Sequence, residues 1–260
     1  MGASRLKPCL RESQPWKNLL LIAPRGRQPQ TVAEGAILSA VLRSRFDLAA
    51  GVRVEALLGV PAVRREELKL YFDYKSPFAF LAVEPAFTLP ERFAVELRWI
   101  PFILRIKGKG DRSQYSEWKA QYSYMDARRW ANKRGGFPIK GPLKVYDSSP
   151  ALIGGLYASH KGFFRAYTEE VYARFFKREL EIDVPEQIAG VIAELGYPAD
   201  DFRRYIAGEG VDDLDAGLAE AQRDHVFGVP LFVFRGEQFW GHDRIALLEE
   251  RLTECGLRLR

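Results

Sequence analysis

The chain has 260 residues, of which 47% are hydrophobic and 28% charged, so it can fill the core of one large domain or two small ones. That charged fraction and the lack of a long uncharged apolar run exclude collagen-like and membrane-spanning architectures. The net charge of +5 gives no reason to predict a nucleic-acid partner, because residues 1–65 hold eleven Lys+Arg against four Asp+Glu whereas residues 66–260 hold 28 against 30.

The cysteines and histidines are few and widely separated. Cys9 and Cys255 lie near opposite ends of the chain, which does not indicate a disulfide framework and favours a reducing, cytoplasmic location. No two of His160, His225 and His242 are within helical reach of each other, and none lies near a cysteine pair. A structural zinc site is therefore not predicted.

Residues 1–65 are predicted to be a basic N-terminal extension, poorly ordered or outside the native protein, and residues 66–260 the folded domain. The apolar stretch at residues 18–23 is too short to span a bilayer. Arginine and serine enrichment with few acids resembles an organelle presequence. The other hypothesis is that translation begins later, at Val60 or Val63.

The folded part begins with a β-α-β pattern. Residues 68–73 form a compact apolar run that predicts a buried strand, and residues 93–100 alternate as a second strand does before Pro101. Between them, Ser76 can cap a helix whose first residue is Pro77, where the missing N–H costs nothing. This order favours two parallel strands joined by a right-handed crossover.

Helical periodicity then dominates residues 115–226, with Gly and Pro as breaks. The predicted helices cover residues 115–134, 151–161, 163–177, 185–196, 201–208 and 213–226.

The last part of the chain returns to strands. Leu231–Phe234 and Glu237–Trp240 flank the pair Arg235-Gly236, and a turn of that length predicts an antiparallel hairpin. Residues 243–255 repeat apolar side chains as an amphipathic helix does.

Three segments of the chain resemble the motifs of a known protein family. They are Tyr71–Ala82 (YFDYKSPFAFLA), Val226–Val233 (VFGVPLFV) and Gly236–Arg244 (GEQFWGHDR). Together they resemble the DsbA-like superfamily, in the branch that contains 2-hydroxychromene-2-carboxylate isomerases and kappa-class glutathione transferases. The resemblance extends from about residue 68 to the end and implies an α/β, thioredoxin-like fold with a large helical insertion at about 103–226.

Where the disulfide oxidoreductases of this superfamily carry Cys-x-x-Cys, this chain has Ser76-Pro77-Phe78-Ala79. A hydroxyl has no accessible anion at neutral pH and no second sulfur follows, which excludes dithiol exchange at this position. The resemblance implies that the sulfur is that of a glutathione cofactor, held by Ser76, Pro77 and Phe78, with the Ser76 hydroxyl donating to the thiolate. By itself, Ser-Pro is also an ordinary helix cap.

The resemblance implies two further contacts with glutathione. Pro230 would follow a cis bond, leaving the Val229 backbone free to pair with the cysteinyl group; without the resemblance, these residues are a turn leading into a strand. His242 and Asp243 would meet the γ-glutamyl end, where a carboxylate can hold an ammonium group. Asp243 has a second interpretation as a helix N-cap, and His242 departs from the small polar residue typical of the transferases.

The loop after the second strand departs from the family in a second way. Glutathione-binding members usually carry an Asn there, and residues 104–114 contain none. Two alternatives are open. Ser113 or Gln114 would replace the Asn, or the glycine carboxylate of glutathione would bind one of three basic residues, Lys107, Lys109 and Arg112. The segment Tyr124–Trp130 fits the first inserted helix of the family and either lines the acceptor pocket or belongs to the core.

The resemblance predicts a glutathione-dependent cis/trans isomerase of a 2-hydroxychromene-2-carboxylate-like aromatic acid. A bound thiolate would add to a conjugated double bond and leave again after rotation. Two alternatives remain open, a kappa-like glutathione transferase or peroxidase and a redox-dead thioredoxin-like binding module. The predicted partner is a small-molecule substrate, with no nucleic acid and no membrane, and a homodimer is an open alternative because relatives are commonly dimers.

Overall fold

A four-stranded mixed sheet lies at the centre of the described residues, which are 64–105 and 113–259 of a computed structural model. Its strands are β1 (Glu66–Phe72), β2 (Val95–Pro101), β3 (Leu231–Phe234) and β4 (Glu237–Trp240), in the order β2-β1-β3-β4. Strands β1 and β2 are parallel, whereas β3 runs antiparallel to both β1 and β4. The predicted parallel pair and the predicted hairpin are both confirmed.

The hairpin turn follows from its two residues. Arg235 and Gly236 have φ angles of 51° and 82°, the left-handed conformation that matches the twist of a two-residue hairpin. Glycine adopts it without a steric penalty, so the turn fixes the register in which Leu231 lies opposite Trp240.

Eight α-helices surround the sheet in the described residues. They are α1 (Pro77–Arg92), α2 (Gln114–Lys133), α3 (Ser149–His160), α4 (Phe164–Lys177), α5 (Pro185–Glu194), α6 (Ala199–Ile206), α7 (Glu209–Arg223) and α8 (Ile245–Glu254). Most predicted helices match within two residues. Helix α7 begins four residues before the predicted Asp213, and the last helix begins at Ile245 because His242–Arg244 form a 3₁₀ turn.

Strand β1 connects the apolar clusters. Leu68 and Leu70 pack with α1, α8 and the hairpin, whereas Tyr71 packs on the other face with Ile100 and Leu231. At the end of the strand, Phe72 enters the larger cluster formed with the inserted helices. The residues that follow β1 therefore lie where the sheet and the helical insertion meet.

Residues 64–105 and 113–259 belong to one compact unit. Within residues 64–105 and 113–259, no helix is both long enough and apolar enough to cross a bilayer. The predictions for the N-terminal extension and for Lys107, Lys109 and Arg112 lie outside the described residues.

Candidate active site

Ser76 lies at the junction of β1 and α1 and caps the helix. Its backbone is extended, with φ −85° and ψ 116°, and its Oγ accepts a hydrogen bond of 3.1 Å from the Ala79 N–H. Pro77 occupies the first helical position, as predicted. Only 3% of Ser76 is exposed, so its hydroxyl faces other parts of the protein rather than bulk water.

The partner of that hydroxyl is the loop before β3. Ser76 Oγ donates to the Val229 carbonyl at 3.2 Å, and the Val229–Pro230 bond is cis, as the resemblance implied. The Pro230 carbonyl accepts from the Gly241 N–H at 2.9 Å. The structure therefore brings Ser76, Val229, Pro230 and the turn at 241–244 to one place.

The first turn of α1 presents one backbone donor. Pro77 has no N–H, and the N–H groups of Ala79 and Phe80 donate to Ser76. The Phe78 N–H is left without a partner among the described residues. This donor and the positive end of the helix dipole both favour an anion at the start of α1.

His242 forms the aromatic wall of the site. Its ring stacks on Phe78 with centroids 5.5 Å apart and meets the edge of Trp130 at 4.9 Å. It is 4% exposed, and its Nδ1 has no hydrogen-bond partner in the part of the chain that the structure describes. Burial, with help from the nearby Arg134 charge, lowers the pKa of His242 to about 4, so the imidazole is neutral at pH 7.

Asp243 lies at the rim of the site. Its side chain is 45% exposed, and Oδ2 is 3.4 Å from Arg244. The interpretation of Asp243 as a helix cap is wrong, because Arg244 holds the cap position of α8 and no described side chain caps that helix. The turn needs glycine at 241, where φ is 113° and a Cβ would lie 2.4 Å from Asp243 Oδ1.

The two residues predicted to replace the family's Asn begin helix α2. Ser113 is exposed and its Oγ accepts from the Ser116 N–H at 3.3 Å, so this hydroxyl caps the helix, and Gln114 is its first residue. In the next segment, Tyr124 and Trp130 pack against the core, as one of the two interpretations predicted, and Trp130 also contacts His242.

Two charged residues beside Ser76 were missed at the level of sequence. Asp73 and Lys75 are buried, and Lys75 Nζ lies 3.5 Å from Asp73 Oδ2. The sequence could have indicated them, because opposite charges two positions apart follow a buried strand. Charges are rarely buried unless they are paired.

Comparison with known proteins agrees with this architecture. A family model described as a DSBA-like thioredoxin domain matches residues 67–253. The chain belongs to this family. The match includes the Ser76 turn, the Val229–Pro230 bond and the His242 turn.

Relatives of this DsbA-like chain carry one recurring name. It is 27% identical over 188 residues to a 2-hydroxychromene-2-carboxylate isomerase of Pseudomonas putida, covering 70% of this chain and 92% of that protein. It is 25% identical over 195 residues to another of the same name from Sphingobium xenophagum, covering 72% and 98%.

Solved structures share the fold of this chain. The structure of a 2-hydroxychromene-2-carboxylate isomerase aligns with a TM-score of 0.62 at 25% identity, covering 73% of this chain and 95% of that one. The cytosolic disulfide reductase DsbM of Pseudomonas aeruginosa aligns with a TM-score of 0.54 at 18% identity, a likeness of fold alone.

Proposed function

We propose that this protein is a glutathione-dependent isomerase of an aromatic acid that resembles 2-hydroxychromene-2-carboxylate. The observation that carries the proposal is the position of Ser76, whose hydroxyl lies at the first turn of α1 against the Val229 carbonyl. A helix start favours a thiolate, but this chain has no sulfur of its own there. The similarity to proteins named as isomerases supports the choice of reaction.

The described residues fit glutathione. The Ser76 hydroxyl and the Phe78 N–H are donors suited to a thiolate, and the Val229 carbonyl is an acceptor suited to a peptide N–H. The unpartnered Nδ1 of His242 is a buried polar atom that a ligand would satisfy. The exposed Asp243 carboxylate can hold an ammonium group.

Glutathione, when bound, would supply a nucleophilic sulfur for reversible addition to a conjugated double bond. Ser76 has one hydroxyl proton, which Val229 accepts in this structure. To donate to a thiolate, the hydroxyl must turn away from Val229, while Oγ keeps its capping bond from Ala79. The same rotation frees the Val229 carbonyl to accept a hydrogen bond from the ligand.

The aromatic wall has a separate role. Phe78, Trp130 and His242 exclude water from one side of the site, which strengthens the electrostatic effect of the helix start on an anion. Because its pKa is near 4, His242 is neutral at pH 7 and can orient a polar group without adding a charge.

Calorimetric titration of glutathione into the wild type and the Ser76→Ala variant tests the proposal. We expect binding in the micromolar to millimolar range that weakens about tenfold in the variant, as loss of a hydrogen bond to a charged group does. Thr88→Ala is the control, because Thr88 lies in the helix that Ser76 caps and its hydroxyl donates to the Pro85 carbonyl at 2.8 Å, within α1 itself. It should bind glutathione as the wild type does.

Product analysis then separates the enzyme classes. An isomerase leaves free glutathione unconsumed, whereas a kappa-like transferase or peroxidase consumes it in proportion to product. Absence of glutathione binding to the wild type would contradict both and leave the redox-dead binding module. Equal affinity in the wild type and Ser76→Ala would remove the role assigned to Ser76.

A further inference from the structure

Asp73 and Lys75 form a buried ion pair next to the N-cap of α1. Asp73 is 0% and Lys75 6% exposed, and Nζ of Lys75 lies 3.5 Å from Oδ2 of Asp73. Because removing two charges from water is costly, such a pair is weak evidence of stabilisation by itself. Its position beside the candidate site makes it relevant to the chemistry there.

The pair is held from several directions by neutral groups. Asp73 Oδ2 accepts from the Leu104 N–H at 2.7 Å, and Lys75 Nζ donates to the Leu104 carbonyl at 3.0 Å, so both backbone groups of Leu104 are bound. Asp73 Oδ1 accepts from the Lys75 N–H at 3.0 Å. The Tyr172 hydroxyl donates to the Asp73 carbonyl at 3.1 Å, and the buried Ser148 hydroxyl lies near the carboxyl. Each charge has the other as its counter-ion.

Both oxygens of Asp73 act as acceptors, which is the arrangement of an ionised carboxylate. Burial raises the pKa of Asp73, and the Lys75 ammonium and the two backbone N–H groups oppose that rise. If Asp73 is ionised, replacing either Asp73 or Lys75 by a neutral residue leaves one unpaired charge in this region.

The pair is close to Ser76. The Ser76 N–H donates to the Asp73 carbonyl at 2.9 Å, which closes a turn whose end Cα atoms are less than about 7 Å apart. An unpaired charge about 10 Å from a thiol in a partly buried site changes the pKa of that thiol by about one pH unit. Two opposite charges at similar distances nearly cancel.

We propose that the Asp73–Lys75 pair is a positioning device that fixes Leu104 against the active loop while keeping both of its charges from acting on an anion at the start of α1. A thiolate there is then governed by the helix, Ser76 and the Phe78 N–H. The consequence for glutathione rests on the proposed function, but the electrostatic effect itself does not.

A thiol placed at residue 76 measures this effect without glutathione. The reference protein is the full chain with Ser76→Cys, Cys9→Ser and Cys255→Ser, and the readout is thiolate absorbance as a function of pH. Adding Asp73→Asn leaves Lys75 unpaired and should lower the thiol pKa by about one pH unit, whereas adding Lys75→Met should raise it by about as much. The double variant should return close to the reference.

Two controls separate charge from structure. Lys75→Arg keeps the cation and should leave the thiol pKa near the reference. Lys69→Met removes a cation from within β1, where Lys69 pairs with Glu220 and Asp224, and should also leave the thiol pKa unchanged. Circular dichroism checks folding, and if Lys75→Met does not fold, the isosteric Asp73→Asn variant carries the test.

Thiol pKa values that stay at the reference in Asp73→Asn and Lys75→Met, or that move in the same direction, would overturn the inference. A protein that shows the opposite shifts but binds no glutathione would support the inference and contradict the proposed function. A protein that binds glutathione through Ser76 but shows no shift of the thiol pKa would support the proposed function and contradict the inference.

Discussion

His242 is a neutral imidazole kept in a mostly aromatic environment. Phe78 stacks on the ring and Trp130 makes a T-shaped contact with it, while Arg134 opposes protonation and Asp126 and Asp243 favour it. Burial is the largest contribution, so the pKa falls from 6.5 to about 4. The folded protein therefore favours the uncharged form of this side chain.

The lowered pKa of His242 predicts a loss of stability in mild acid. Between pH 6.5 and 4 the unfolded chain binds a proton that the folded chain does not, so the free energy of unfolding falls as the pH falls. From pH 7 to pH 5 we expect His242 to account for a loss on the order of 1 to 2 kcal/mol, allowing for partial solvent screening. Urea unfolding of the wild type and of His242→Gln at pH 7 and pH 5 measures this loss. The free energy of unfolding should fall less in the variant than in the wild type.

His225 supplies the comparison for this experiment. It is exposed and has a positive φ of 54°, so His225→Asn suits its backbone and removes an imidazole in contact with water. This variant should keep the pH dependence of the wild type. If His242→Gln loses as much stability as the wild type between pH 7 and pH 5, His242 is not the group responsible.

Individual residues of the site were predictable to different degrees. Ser76 and Pro77 were predicted because a capping pair is a local property of the sequence. Asp243 was interpreted wrongly as a cap because sequence does not show that a 3₁₀ turn shifts the start of α8 to Ile245. The bond between Asp73 and Leu104 depends on side-chain directions across two strands, which sequence spacing does not give.

At the scale of elements, the helical insertion depends on a close contact between α3 and α4. A Cβ built on Gly154 would lie 2.1 Å from the Tyr167 hydroxyl oxygen and 2.8 Å from Ile188. The Tyr167 hydroxyl donates to the Ala151 carbonyl at 2.8 Å, so this side chain cannot move without losing a buried hydrogen bond. Only glycine allows the two helices to approach this closely.

Substitution of this glycine should be strongly destabilising. We expect Gly154→Ala to lower the free energy of unfolding by about 1 to 3 kcal/mol, as overpacking of a filled core does. Gly190→Ala is the matched control in α5, where a Cβ would meet nothing within 4 Å. It should stabilise the protein by about 0.5 to 1 kcal/mol through the higher helix propensity of alanine. Urea denaturation compares them, and equal effects would contradict the packing described for Gly154.

Element types were more predictable than their limits. The hairpin strands match the prediction residue for residue. The Arg235-Gly236 turn defines where β3 ends and where β4 begins. Helix α1 was predicted only at its start, and it continues through Pro85 and Pro90 to Arg92. Both prolines are helix breakers by local propensity, so packing of α1 against the sheet and α2 outweighs that propensity.

In the molecule as a whole, the site lies where two halves of the core meet. The sheet carries β1 and β3, from which the Ser76 turn and the Val229–Pro230 bond extend, and the insertion supplies Trp130. The order β-α-β, helices, β-β-α was predictable from periodicity. The contact of Trp130 with His242 was not, because it depends on how the insertion packs on the sheet.

Within residues 64–105 and 113–259, the three apolar clusters begin at Leu68, and the family match begins at residue 67. We therefore expect a chain that starts at Val63 to unfold at the same urea concentration as the full chain and to bind glutathione equally well. Tryptophan fluorescence follows the unfolding, since Trp99, Trp118, Trp130 and Trp240 are retained.

The two chains should differ in their interaction with polyanions. A chain that starts at Val63 lacks nine of the 39 Lys+Arg and four of the 34 Asp+Glu, so its formal net charge falls from +5 to 0. Retention on a heparin column should fall, because non-specific binding to a polyanion follows net charge. A lower unfolding midpoint in the shorter chain would mean that residues before Val63 contribute to the fold. Unchanged retention on heparin would place the polyanion-binding surface on the folded domain, whose residues 66–260 hold 28 basic and 30 acidic side chains.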